Sequence, residues 1–142
     1  MGSCCFLGCE KLSSVVISNS LTGIQSETFK ECINLTSVTI PNNVVEIGTS
    51  AFYGCEKLKS ITIPNSVIEI GHRAFEGCSM LNDVTIPNSV NIWGGNVFEY
   101  SFQFGINSDG QCKYIGDDEN PYLVCLGPLS RKRKTIVIND KC

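Results

Sequence analysis

Phe52-Tyr53-Gly54-Cys55-Glu56-Lys57-Leu58-Lys59-Ser60-Ile61-Thr62-Ile63-Pro64-Asn65-Ser66-Val67-Ile68-Glu69-Ile70-Gly71-His72-Arg73-Ala74-Phe75 closes on itself, because Phe75 restarts after 23 residues what Phe52 begins. The same interval leads back to Phe29 and Phe6 and forward to Phe98. Cysteine keeps the phase at 9, 32, 55 and 78, and leucine at 12, 35, 58 and 81. An aliphatic pair recurs as Val15/Ile17, Val38/Ile40, Ile61/Ile63 and Val84/Ile86, with asparagine at 19, 42, 65 and 88. So many fixed positions over four copies leave little room for chance.

Within one copy, Leu58, Ile61 and Ile63 alternate as a short strand with one face buried. Pro64 and Asn65 end it, since proline cannot donate to a ladder and asparagine favours turns. Val67 and Ile70 form a second inward pair, Gly71 permits a tight corner, and Ala74-Phe75 opens a single helical or 3₁₀ turn with Phe75 and Cys78 on one face. One such coil is too thin to bury its apolar side, so coils stack and bury each other. A period in the twenties with an L-x-x-[VI]-x-I core reads as a leucine-rich solenoid of the α/β class, with short parallel strands and one helical or 3₁₀ turn per coil.

The pattern runs over residues 2–104 as four coils and a degenerate fifth. Ser18, Gln25 and Thr28 replace the proline, glycine and alanine of the first copy, and Trp93 replaces an isoleucine in the fourth. Phe98 keeps phase, but Ser101 takes the cysteine place and Phe104 the leucine place. The next strand pair is due at 107 and 109, where a turn cluster stands instead. It reappears at Ile136 and Ile138, 29 residues late. Residues 105–134 therefore read as an insertion, and 135–142 as the start of a further repeat. Within the insertion, 112–116 and 122–127 are apolar-rich runs around a polar turn, a β-hairpin signal. The chain reads as an excerpt of a longer array that starts within a repeat, and its uncapped ends are expected to favour end-to-end self-association.

A net charge of −3 gives no general electrostatic case for nucleic acid or anionic lipid. The one basic run, Arg131-Lys132-Arg133-Lys134, reads as a solvated loop beside a strand. No stretch is apolar enough to span a membrane, and residues 1–6 lack a charged segment followed by an apolar run. Nine cysteines would suggest disulfides in a small secreted chain. Here, however, Cys9, Cys32, Cys55 and Cys78 share one phase and stack about 5 Å apart. A disulfide needs Cβ atoms roughly 3.8 Å apart, so the column reads as buried free thiols acting as small hydrophobes. Cys4, Cys5, Cys112, Cys125 and Cys142 carry no assignment.

The motif F-x-x-C-x-x-L-x-x-[VI]-x-I-P-N-x-V-x-x-I-G-x-x-A resembles the BspA-like, or Treponema pallidum-type, leucine-rich repeats over residues 2–98. The run Tyr114-Ile115-Gly116-Asp117-Asp118-Glu119-Asn120-Pro121-Tyr122-Leu123-Val124 is similar to a segment that interrupts such arrays, although Cys125 stands where an aliphatic residue is expected. The resemblance implies a surface or secreted protein of a host-associated bacterium or parasitic protist. Some such proteins are adhesins for extracellular-matrix or other host proteins. No catalytic residue goes with the repeat, so none is carried over.

The side chains agree. The sole histidine, His72, sits in a corner away from the cysteine column, so no Cys-His nucleophile pair forms. No phosphate-cradling glycine loop is present. No C-x₂-C pair exists for zinc, and Asp117, Asp118 and Glu119 read as a solvated turn before a calcium site. Neither an enzyme nor a metal or cofactor is expected. Positions flanking the inward strand residues point outward. They place Thr36, Ser37, Thr39, Lys59, Ser60, Thr62, Asn82, Asp83 and Thr85 in adjacent rows, a flat polar face suited to a protein or glycan partner. Threonine also favours strands for its own sake, so a plain solvent face explains the same residues. Tyr53, Tyr100 and Phe102 are candidate exposed aromatics, with Trp93 expected in the core. The leading function is a non-enzymatic binding module of an adhesin-like surface or secreted protein. A structural spacer and a cytoplasmic interaction scaffold remain the alternatives.

Overall fold

The structure, a computed structural model, describes residues 2–101 and the short strands Tyr114–Ile115 and Val124–Cys125. Four strand pairs follow one another: β1 (Ser14–Val16) with β2 (Gly23–Ile24), β3 (Ser37–Thr39) with β4 (Glu46–Ile47), β5 (Ser60–Thr62) with β6 (Glu69–Ile70), and β7 (Asp83–Thr85) with β8 (Ile92–Trp93). The first members stack on one side as the parallel pairs β1–β3 and β5–β7. The second members form a four-stranded parallel sheet in the order β2-β4-β6-β8. Every parallel ladder is in register at the repeat length, as in Gly23↔Glu46↔Glu69↔Ile92. The chain is thus a parallel-strand solenoid, with each residue lying over its counterpart one copy away.

The core is a set of files. Phe6, Phe29, Phe52, Phe75 and Phe98 pile face to face, with centroids 5.2–5.4 Å apart and planes within 13°. Phe29, Phe52 and Phe75 are wholly buried, and the two end rings are half-buried. Each buried ring stabilises the fold by about 1.5–3 kcal/mol through area alone, and stacking adds about 0.5–1.5 kcal/mol per pair. Leu35, Leu58 and Leu81, then Ile24, Ile47 and Ile70, make parallel files beside them, all buried. Trp93 ends the isoleucine file, half-buried against the core.

The expected helical or 3₁₀ turn is absent among the described residues, and the hydrogen bonding explains why. From Gly48 to Cys55 only alternate N–H groups bond back within the coil: Ala51 to the Gly48 carbonyl, Tyr53 to Ser50 and Cys55 to Phe52, each at 3.2 Å. The N–H groups between them leave the coil and bond forward, Ser50 to His72, Phe52 to Ala74 and Gly54 to Glu76, each at 2.8 Å. A 3₁₀ segment would use every N–H internally. This one gives half of them to the next coil. The alternation needs left-handed backbone two residues before and two after each phenylalanine. Those positions are Cys4 and Gly8, Glu27 and Glu31, Ser50 and Gly54, Arg73 and Gly77, and Asn96 and Tyr100, with φ between 52° and 73°.

The corner glycines serve a different purpose from the one read in the sequence. Gly48, Gly71 and Gly94 are not left-handed. A Cβ on Gly71 would lie 2.5 Å from the Thr49 nitrogen and 2.7 Å from the Gly48 carbonyl carbon. Each corner presses on the backbone of the coil before it, and its N–H bonds back across that contact, as Gly71 does to the Ile47 carbonyl at 2.7 Å. Thr28, in the alanine place, is buried but satisfied, because its hydroxyl donates to the Gln25 carbonyl at 2.7 Å.

β9 (Tyr114–Ile115) pairs antiparallel with β10 (Val124–Cys125), with Ile115 opposite Val124 and Tyr114 opposite Cys125. The rest of 102–142 lies outside the described residues. That includes Phe102, Phe104, Cys112, Cys142, the acidic turn at 117–119, the basic run at 131–134, and Ile136 with Ile138.

Candidate functional site

Alternation along β3, β5 and β7 turns Val38, Ile61 and Val84 inward and leaves their neighbours outside. All nine residues read from the sequence as a binding face are exposed: Thr36, Ser37, Thr39, Lys59, Ser60, Thr62, Asn82, Asp83 and Thr85. The register sets them in rows, with Ser14 beside Ser37, Ser60 beside Asp83, Val16 beside Thr39, and Thr62 beside Thr85. One ammonium, Lys59, and one carboxylate, Asp83, punctuate a field of hydroxyls. The Thr36 hydroxyl is partly engaged, donating to the Ser13 carbonyl at 2.9 Å. Val16, 88 % exposed, ends the threonine row with an apolar side chain that the sequence reading passed over, although strand alternation points it outward.

A second feature went unread. A groove of about 410 Å³ crosses four coils, lined by Gly8 and Glu10, Glu31 and Ile33, Tyr53, Gly54 and Glu56, and Gly77. It runs along the turns between each phenylalanine and the leucine that follows it. Gly8, Gly54 and Gly77 hold the left-handed position after the phenylalanine without a side chain, while Glu31 carries one in the same place on the second coil, against Gly54. The signal was in the sequence, as glycine recurring two residues after Phe6, Phe52 and Phe75. Tyr53 forms part of the wall, and the Lys30 ammonium lies 5.6 Å from the centre of its ring. Tyr100 is exposed.

The cysteine file is buried, with Cys32, Cys55 and Cys78 fully enclosed and Cys9 half-buried at the end. All six cysteines among residues 2–101 are free thiols. They are more than small hydrophobes. The Cys32 thiol donates to the Phe6 carbonyl, Cys55 to Phe29 and Cys78 to Phe52, at 3.1–3.2 Å. Ser101, in the next cysteine place, donates its hydroxyl to the Phe75 carbonyl in the same way. Burial raises the pKa of Cys32 and Cys55 and pushes the Cys78 thiol up to about 12. A neutral thiol in an apolar file is a poor nucleophile. His72 is exposed at its corner. Among the described residues no three His, Cys, Asp or Glu side chains converge as metal ligands. No helix among them is long and apolar enough to cross a membrane.

The family model for the BspA type leucine rich repeat region matches residues 1–118 in six copies. Three solved structures share the architecture. A T. pallidum leucine-rich repeat protein is 34% identical at a TM-score of 0.67, over 68% of this chain and 45% of its own. A leucine-rich repeat protein from Bacteroides ovatus ATCC 8483 is 36% identical at 0.62, over 65% of this chain and 24% of its own. A leucine rich cell surface protein from Faecalibacterium prausnitzii A2-165 is 25% identical at 0.53, over 62% of this chain and 29% of its own. The chain therefore spans less than half the length of each. No curated protein matches it in sequence.

Proposed function

The chain belongs to the BspA-type leucine-rich repeat family, and from that membership we infer that it acts as a non-enzymatic protein-binding module of a surface or secreted protein. The observation that carries this reading is the exposed, mainly serine and threonine rows that the β1–β3 and β5–β7 ladders set in register. Phenylalanines stacked and locked by inter-coil hydrogen bonds hold those rows, so the face is rigid before a partner arrives and little ordering entropy is lost on contact. Binding is spread over several coils, through many hydroxyl hydrogen bonds and few charges. Surface placement is supported by the likeness to a leucine rich cell surface protein.

The test uses the full chain against a panel of immobilised extracellular-matrix proteins. Replacing Thr39, Thr62 and Thr85 together by lysine is expected to lower binding at least tenfold with circular dichroism unchanged. Undiminished binding would move the site off this face. A second reading, a cytoplasmic interaction scaffold, is favoured by one observation. Six free thiols, with Cys4 and Cys5 exposed, suit a reducing compartment. Recovery of native protein with Cys4 and Cys5 reduced, from cells quenched with a thiol-blocking reagent, would support it.

A further inference from the structure

The first sheet is broken once. β1 pairs with β3 and β5 with β7, but among the described residues no ladder joins β3 to β5. The second sheet runs unbroken past the same junction, through β4–β6. The junction lies between the coil that starts at Phe29 and the coil that starts at Phe52. Its backbone bonds lengthen from the phenylalanine turn towards the first sheet. The Glu31 N–H reaches the Tyr53 carbonyl at 2.7 Å, the Lys57 N–H reaches Ile33 at 3.2 Å, and the Lys59 N–H reaches Thr36 only at 3.5 Å. The next junction stays closed over the same positions, with Gly54 to Glu76 at 2.8 Å, Met80 to Glu56 at 3.0 Å and Asn82 to Lys59 at 3.0 Å. One junction earlier, Thr36 reaches Ser13 at 2.9 Å. A backbone bond longer than about 3.2 Å lies outside the ordinary range and holds weakly.

The aromatic file marks the same place. Phe29 and Phe52 are 13° from parallel, against 5°, 4° and 9° for the other three pairs. The far side of the junction is tight, since the Ile68 N–H donates to Val45 at 2.9 Å and the Gly71 N–H to Ile47 at 2.7 Å. We propose that this junction is a hinge, with the second sheet and the phenylalanine turn as its spine and β3 and β5 as its two lips. Opening turns Ser37 and Thr39 away from Ser60 and Thr62, so the strand face changes curvature along one line. Each lip stays rigid, because β1–β3 and β5–β7 are continuous ladders. The motion lies at the low end of the fold's local stabilities, since it parts one long bond where any other junction of this sheet would part a ladder. The hinge stands whether or not the face binds a partner.

The experiment is residue-resolved amide hydrogen exchange on the full chain. Exchange requires the N–H to open to water, so protection measures the opening. A uniform stack is best protected in its middle coils, because each coil is held by its neighbours. The hinge reverses that order on one side only. Protection at Lys59 is expected to fall at least tenfold below that of Thr36 and Asn82, its counterparts at the junctions before and after. Ile68 and Gly71, which cross the same junction on the second sheet, should stay as protected as Gly48 and Gly94, which bond across the neighbouring junctions at 2.7 Å. Protection at Lys59 matching or exceeding that of its counterparts would overturn the proposal. Loss of protection at Ile68 and Gly71 together with Lys59 would also overturn it, because the coils would then part as wholes with no spine between them.

Discussion

The Cys55 thiol donates to the carbonyl oxygen of Phe29, 3.2 Å away and 26 residues earlier. That carbonyl also accepts the Cys32 N–H, so the thiol adds a second bond to a group already satisfied. Its worth is modest, and packing carries most of the site's energy. Cys55→Ala is expected to destabilise the fold by about 1–2 kcal/mol, as a buried group is lost and a small void left. Cys55→Ser should cost less than Cys55→Ala, because Ser101 already makes the equivalent bond in the next cysteine place. Urea denaturation of the two variants checks the order. Serine falling below alanine would show that burying the hydroxyl outweighs its bond.

The same burial makes the fold sensitive to alkali. An unfolded cysteine ionises near its ordinary 9.0, whereas burial pushes folded Cys78 up to about 12. The folded state therefore binds more protons above pH 9. The stability from this thiol is fully present below the unfolded value and is lost as pH rises from about 9 towards about 12, by about 1.4 kcal/mol per unit at most. Denaturation midpoints of the parent and Cys78→Ser over this range should converge as pH rises. Parallel curves would contradict the shift.

Two glycines test two different needs. Gly71→Ala would set a methyl 2.5 Å from the backbone nitrogen of Thr49, an atom that cannot yield without parting the coils. A loss of about 3 kcal/mol or more is expected. Gly54→Ala meets nothing closer than 3.6 Å and bears only the left-handed penalty at φ 68°, about 1–2 kcal/mol. Thermal denaturation of both variants should rank Gly71→Ala as the more damaging, and the reverse order would mean that backbone handedness governs both sites.

The sequence made the stacking legible because side chains repeat where coils touch. Phenylalanine, leucine and the aliphatic pairs stand at the positions that bury, and the 23-residue register follows directly from their phase. The exposure of Thr39, Thr62 and Thr85 follows from the same alternation. The turn conformation was not legible. Its left-handed residues before phenylalanine are Cys4, Glu27, Ser50, Arg73 and Asn96, five different side chains. No propensity marks them, because hydrogen bonds to the next coil impose their geometry. The groove was half visible, since glycine after phenylalanine could be read, but only the folded chain brings Glu10, Ile33 and Tyr53 beside those glycines from different coils.

The phenylalanine file has one last consequence. Its members stand 5.2–5.4 Å apart, whereas neighbouring strands lie about 4.8 Å apart. The backbone beside the rings is held as closely as the strands, since Phe52 donates to the Ala74 carbonyl one coil on at 2.8 Å. The longer ring distance is a sideways slip between near-parallel rings, the offset that aromatic pairs prefer, so a flat aromatic solute finds no gap to enter between them.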